Sequence, residues 1–242
     1  MQAMDSSHVA LCTLNLNSDG FALYRCDKKT SIGLSLTNLA KILKCAGADD
    51  SITMRTDEGA DVASFTFENT KSDKVSEFEF KLMDINVDHM GIPDTKYDCT
   101  VKMNAKEFKT VILDLKPLGD ACTIAVTKEG ISFSVSGDTG TGNVTVKQTN
   151  AVDDEKASCK IEMNSPVSLT FAMRYLVEFT KATPLAGTVH LSMHSENPLV
   201  VEYRMGEVGD IRYYLCVAAN VVETDPPTTT HSAPKMDEDA AA

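Results

Sequence analysis

A chain of 242 residues with 43% hydrophobic content holds enough apolar material for one large packed domain or two smaller ones. Its formal net charge of −12 argues against a simple nucleic-acid binder with a uniformly basic surface, and no apolar run approaches membrane-spanning length. Seven scattered cysteines, odd in number and without a C-x-x-C pair, support neither a disulfide framework nor a zinc site; they fit a reducing compartment, and no charged-then-apolar leader opens the chain.

In chain order, residues 9–16 alternate like a half-buried strand, Asn17-Ser18-Asp19-Gly20 signals a turn, and 21–25 resume strand character. Residues 37–46 switch period, with Leu39, Ile42, Leu43 and Ala46 at helical spacing. Three further strands are predicted at 52–55, 63–67 and 75–81. Residues 82–97 then form a connection without helical period, broken by Gly91 and Pro93, yet apolar at Val87, Met90, Ile92 and Pro93. A connection of that length with its own apolar centre is either a linker pinned to its domain or a wall of a binding groove.

Beyond it, 101–103 read as a strand end, and Ala105, Phe108, Val111, Ile112 and Leu115 mark a second helix stopped by Pro117 and Gly119. A hairpin at 122–127 and 131–135 turns around Lys128-Glu129-Gly130, and strands follow at 144–147 and 159–163, separated by an acidic loop at 150–156. Met173, Leu176 and Phe179 place a third helix, ended before Pro184, and strands at 189–193, 199–203 and 211–217 complete the pattern. From about residue 221 the composition is that of a disordered tail.

The three helices centre near residues 42, 110 and 178, each about 68 residues after the last, which is an internal repeat. A fourth unit on this spacing falls before Met1. On the helices, Lys41, Lys44, Lys106, Lys109, Lys116, Arg174 and Lys181 outnumber Glu107, Asp114 and Glu178, although the chain as a whole is acidic. Such lysines serve either as ordinary solvated faces or as one surface toward a polyanion. Without aromatic interleaving, any nucleic-acid contact would be sequence-independent. His190 and His194 sit in an alternating segment and lack the helical-face logic of a zinc pair, so neither metal nor cofactor is called for.

Several runs carry a family resemblance: 4–9 (Met-Asp-Ser-Ser-His-Val), Tyr24-Arg25-Cys26-Asp27, 41–47 (Lys-Ile-Leu-Lys-Cys-Ala-Gly), Lys81-Leu82-Met83-Asp84, Gly91-Ile92-Pro93, 179–185 (Phe-Thr-Lys-Ala-Thr-Pro-Leu) and 198–203 (Pro-Leu-Val-Val-Glu-Tyr). From residue 1 to about 215 the chain resembles the proliferating cell nuclear antigen family of eukaryotic sliding clamps. The resemblance implies an α+β chain of two clamp domains (1–81 and 98–220), joined by an interdomain connector (82–97) and followed by the tail (221–242). It implies a pseudo-sixfold homotrimeric ring, antiparallel sheets outside and helices lining a hole that holds double-stranded DNA. Such a clamp catalyses nothing. It tethers the replicative DNA polymerase, clamp loader, flap nuclease, DNA ligase and other proteins in the nucleus, for replication, repair and translesion synthesis.

The resemblance also implies site residues. A pocket for a short motif with a glutamine and paired aromatics maps to Met4, His8, Val9, Leu11, Met90, Ile92, Pro93, Tyr97, Pro198, Tyr214 and Leu215. DNA-facing positions are Lys41, Lys44, Lys106, Lys109, Arg174 and Lys181. Subunit contact pairs two edge strands, through Lys74, Phe78 and Lys81 on one and Gly142 and Val144 on the other. Lys128 matches the lysine that carries ubiquitin. Three departures stand out: the family's first strand and hole-lining helix, about three dozen residues, have no counterpart here; Cys216-Val217-Ala218 replaces the usual Ala-Pro-Lys; and Leu113 takes an often basic position. Without that first unit, one sheet face in the first domain is expected to be uncovered. Two rival readings remain: a truncated, non-encircling partner-binding module, and an aspartic protease on the triplet Asp138-Thr139-Gly140, which would need a second copy to share its proton.

Overall fold

The computed structural model describes residues 1–69, 71–85, 91–92, 95–149 and 159–218. The first half holds strands β1 (Gln2–Met4) and β2 (Ala10–Leu16), helix α1 (Leu36–Leu43), then β3 (Ser51–Arg55), β4 (Val62–Asn69) and β5 (Lys74–Lys81). The second half begins with β6 (Cys99–Asn104) and α2 (Ala105–Leu115), followed by β7 (Ala121–Val126), β8 (Gly130–Gly137), β9 (Gly140–Lys147), β10 (Lys160–Met163) and β11 (Val167–Ala172). It ends with α3 (Met173–Phe179), β12 (Thr188–His194), β13 (Asn197–Arg204) and β14 (Gly209–Leu215).

By contacts the chain divides into two units, Leu16–Thr95 and Lys96 onward, the latter joined by Met1–Asn15. The larger unit contains a seven-stranded sheet, ordered β1-β2-β14-β13-β12-β6-β10, and a four-stranded sheet, ordered β11-β7-β8-β9. Its core follows from periodicity. Cys99, Val101 and Met103 alternate inward from β6, as Val189, Leu191 and Met193 do from β12. Helix α2 buries Phe108, Val111, Ile112 and Leu115, and α3 buries Met173, Leu176 and Phe179. The Asn104 side chain caps α2 by accepting from the Lys106 and Glu107 amides at 2.8 and 3.2 Å, a cap worth about 1 kcal/mol. Pro117 then ends the helix in a 3-10 turn.

The smaller unit has one three-stranded sheet, β3-β4-β5, whose buried centre is Ala63, Phe65, Phe67 and Phe80. Helix α1 lies against it through Leu39 and Ile42, as does Ala46 beyond its end, but the helix has no buried residue of its own.

The repeat predicted from helix spacing is visible as topology. The succession α1-β3-β4-β5 has the same order and antiparallel pairing as α3-β12-β13-β14. Residues 21–25, expected to form a strand, do not. Alternation makes a segment fit for a sheet, but a strand needs a neighbour, and no strand pairs with 21–25 among the described residues. Strands β1 and β11 were not foreseen. The acidic loop at 150–156 and the tail from 221 lie outside the described residues.

Candidate functional site

The turn joining β1 to β2 is built around one carboxylate. Asp5 Oδ1 accepts from the backbone N–H groups of Val9 (2.8 Å) and Ala10 (2.7 Å), while Oδ2 accepts from that of Ser7 (3.2 Å). The Tyr175 hydroxyl, from α3, donates to the same Oδ2 at 2.7 Å. These donors favour the ionised form, so the Ala10 N–H and then the Tyr175 hydroxyl hold Asp5 well below the usual carboxylate range. His8 finishes the turn in the left-handed region, at φ 57°.

From that turn β2 runs beside β14. The Cys216 N–H donates to the Val9 carbonyl at 3.0 Å, and Asn15 Nδ2 donates to Asp210 Oδ2 at 3.3 Å. Both bonds fit one antiparallel register, which sets Leu11 across from Tyr214. Met4 opposes Leu11, and Tyr214 opposes Val200. Tyr213 stacks on Phe179 of α3 with ring centroids 4.5 Å apart, so strand alternation turns Tyr214 to the sheet face away from the helices. The Tyr97 hydroxyl is pushed up by burial first and by Tyr214 second, with Arg212 opposing.

Of the pocket residues read from sequence, Met4, Leu11 and Tyr214 thus share one side of the seven-stranded sheet, while Val9 packs against the core. His8 and Pro198 are exposed nearby in the chain, on the turn and at the start of β13. Leu215 points the other way and is fully buried, supporting the site from the core. Ile92 is exposed and belongs to the smaller unit; Met90 and Pro93 lie outside the described residues. Sequence reading missed Asp5 and Tyr175. An Asp opening a Ser-Ser turn was a usable local signal for the first, but nothing local pointed to the second.

The helical cations differ in how free they are. Lys41 and Lys44 on α1 and Lys106 on α2 are exposed, and Lys109 is half-buried. Lys181 pairs with Glu178, three residues before it. The Arg174 guanidinium lies over the Tyr175 ring at 4.8 Å, with Nη2 donating to the hydroxyl at 3.2 Å. Leu113 is exposed on α2.

Two of the sheet edges carry the subunit-contact residues read from sequence. Strand β5, with Lys74, Phe78 and Lys81, ends the three-stranded sheet, and β9, with Gly142 and Val144, ends the four-stranded one. Phe78 leans on Phe67 at 5.3 Å, while Val75 is exposed. Lys128 is exposed at the β7–β8 turn. Asp138 and Thr139 form the two-residue turn of the β8–β9 hairpin, where Gly137 opposes Gly140. No group of three His, Cys, Asp or Glu suited to a metal occurs among the described residues.

Antiparallel sheets with short helices packed on one face, and a helix followed by three antiparallel strands occurring three times, define an α+β chain of two clamp domains. The family profile for the N-terminal domain of proliferating cell nuclear antigen matches residues 1–90, and that for its C-terminal domain matches residues 91–218. The chain belongs to the proliferating cell nuclear antigen family of DNA sliding clamps.

Proposed function

We propose that this chain acts as a scaffold rather than a catalyst: a homotrimeric ring around duplex DNA that gives a replicative polymerase processivity. In this reading it also docks motif-bearing replication and repair proteins in the nucleus. One observation carries the ring. Strand β14 ends a helix-and-three-strands unit and pairs with β2, the second strand of a hairpin. Strand β5 ends the matching unit, β9 is the second strand of a matching hairpin, and both have open edges. Pairing β5 of one copy with β9 of the next repeats between chains the join already made within one. That interface is head-to-tail, the kind that closes into rings.

Threading supplies processivity by topology, so the contacts of exposed lysines with phosphates need only be weak. The face carrying Met4, Leu11 and Tyr214 offers aromatic and aliphatic partners for an inserted aromatic motif. Lys128, exposed at a hairpin tip, is open to ubiquitin attachment, as translesion synthesis would require.

Light scattering on a sizing column tests the ring. A mass near three times the 26.2 kDa chain supports it, and a monomer overturns it for this chain. The monomer would favour the second reading, a partner-binding module that does not encircle DNA. That reading draws support from the exposure of Leu36, Leu43, Ile52 and Met54 in the smaller unit.

A further inference from the structure

Strand register sorts one face of the seven-stranded sheet into rows that cross the strands. One row runs from Tyr214 through Val200, Ser192 and Thr100 to Glu162. Two residues along each strand, the next row runs Arg212, Glu202, His190, Lys102, Lys160. Alternation puts both rows on the face that carries Met4 and Leu11.

Charge is unevenly matched along the second row. At the β14–β13 end, Glu202 pairs with Arg204 and Arg212, and Asp210 pairs with Arg212 as well. At the β6–β10 end, Lys102 and Lys160 stand directly opposite one another. Neither meets a carboxylate within ion-pair distance among the described residues. Like charges placed directly across a strand pair are destabilising. Their neighbour His190 feels this field: burial and then Arg204 disfavour its charged form, Lys102 adds to them, and Glu202 opposes. Its Nδ1 atom is buried and has no hydrogen-bond partner among the described residues. A lysine on an edge strand such as β10 ordinarily guards against unwanted pairing. That account fails for Lys102, because β6 is paired on both sides and the residue is half-buried. In a chain of net charge −12, two facing, unmatched lysines call for a bound anion.

We propose that Lys102 and Lys160 form a subsite for a run of carboxylates on the same partner protein whose aromatic motif docks at Met4, Leu11 and Tyr214. This subsite presupposes the motif docking proposed above. Four strand spacings of about 4.8 Å separate β14 from β10, roughly 19 Å, which about six extended residues at ~3.3 Å each would span. The acids therefore sit about six residues from the motif's aromatic pair, in an extended segment. A helix, rising only about 1.5 Å per residue, would need about thirteen. One lysine pair, bounded by Glu202 and Glu162 on the same face, suits a short acidic peptide better than the continuous phosphate track of a nucleic acid.

The test titrates labelled peptides into the full 242-residue protein and follows fluorescence anisotropy. Two peptides carry a glutamine and paired aromatics with a short aspartate-and-glutamate run, placed before the motif in one and after it in the other. Neutral twins carry asparagine and glutamine instead, and a further peptide has the acids without the motif. One acidic peptide should bind about three- to tenfold tighter than its twin, the gain expected of two exposed ion pairs. Raising salt to about 0.5 M should erase the gain, and so should Lys102→Gln/Lys160→Gln, with the neutral twins unaffected by the variant. Lys160 is exposed, so Lys160→Gln alone keeps the fold and should lose about half of the gain. Equal binding of acidic and neutral peptides overturns the subsite and leaves motif docking standing, and a gain that survives in the double variant overturns it too. If no motif peptide binds, it is the docking reading that fails, and the motif-free acidic peptide decides the subsite. Amide shifts at Lys102 and Lys160 in NMR spectra then support it, and their absence overturns it. Weaker binding of a single-stranded oligonucleotide by the double variant, with the acidic peptides unaffected, overturns it in favour of a nucleic-acid contact.

Discussion

The Tyr175 hydroxyl donates to Asp5 Oδ2 at 2.7 Å, tying helix α3 to the turn that presents Met4, His8 and Val9. The tie is chemically complete at Asp5, whose two oxygens serve three backbone amides as well. Tyr175→Phe keeps the ring under Arg174 and deletes only the hydroxyl. We expect faster hydrogen exchange at Ser7, Val9 and Ala10 and weaker binding of a glutamine-and-aromatic motif peptide, with the sheet unchanged. Asp5→Asn should do the same. Because ionisation is favoured in the fold, Asp5 adds stability above the unfolded carboxylate value of about 3.9. That stability is lost as pH falls toward its lowered folded value. A carboxyl carbon titration by NMR that places Asp5 in the ordinary range would contradict this account.

A second pH response belongs to the row Arg212–Glu202–His190–Lys102 across four adjacent strands. Burial pushes Glu202 up, but hydrogen bonds and charge from Arg204 and Arg212, with Nε atoms at 2.9 Å, leave it below its usual value. His190 is lowered, by burial first, then by Arg204 and Lys102, with Glu202 opposing. A histidine lowered in the fold contributes nothing to pH dependence above its unfolded value of about 6.5. It costs stability as pH falls through that value, because the unfolded chain takes the proton first. Urea denaturation should therefore show stability falling from about pH 7 to 5, and His190→Gln should flatten that slope. Removing the carboxylate in Glu202→Ala should cost about 1–2 kcal/mol, below the ~3–5 of a fully buried pair because both arginines reach water.

These two networks show where sequence reading stopped. The helices were legible because an apolar 3.6-residue stripe is local, and α2 most so, with Pro117 marking its end. The strand at 21–25 was misread because alternation reports fitness for a sheet and not the presence of a neighbour. That Met1–Asn15 pairs into the sheet of the second half is a matter of long-range register, which no local period encodes. The Tyr175–Asp5 bond spans 170 positions and was invisible for the same reason. Basic residues on helices were legible as charge, but not that Lys181 is already paired and Arg174 already stacked.

Two glycines at the β8–β9 edge make a paired test of packing. A Cβ on Gly137 would strike the Leu118 carbonyl oxygen, a backbone atom that cannot swing aside. A Cβ on Gly142 would meet only the methyl ends of Leu118 and Leu115. Gly137→Ala should cost on the order of 1–3 kcal/mol by forcing backbone apart, and Gly142→Ala distinctly less. Chemical denaturation of the two variants side by side decides it, and equal losses would mean that the edge is not held by this contact.

The salt dependence of DNA binding separates free cations from occupied ones. Each phosphate neutralised adds about 0.9 to the slope of log affinity against log salt. Lys41 and Lys44 are exposed, so Lys44→Ala should weaken DNA binding for every sequence alike and reduce the slope by about 1. Lys181 already spends its charge on Glu178, so Lys181→Ala should change the slope less. The sharper experiment is Glu178→Gln, which leaves Lys181 in place and removes its partner. If Lys181 faces the duplex, this single loss of a carboxylate tightens binding and steepens the slope. If instead Glu178→Gln leaves both unchanged while Lys44→Ala still acts, α3 does not meet the phosphates, and the DNA path lies along the other helices.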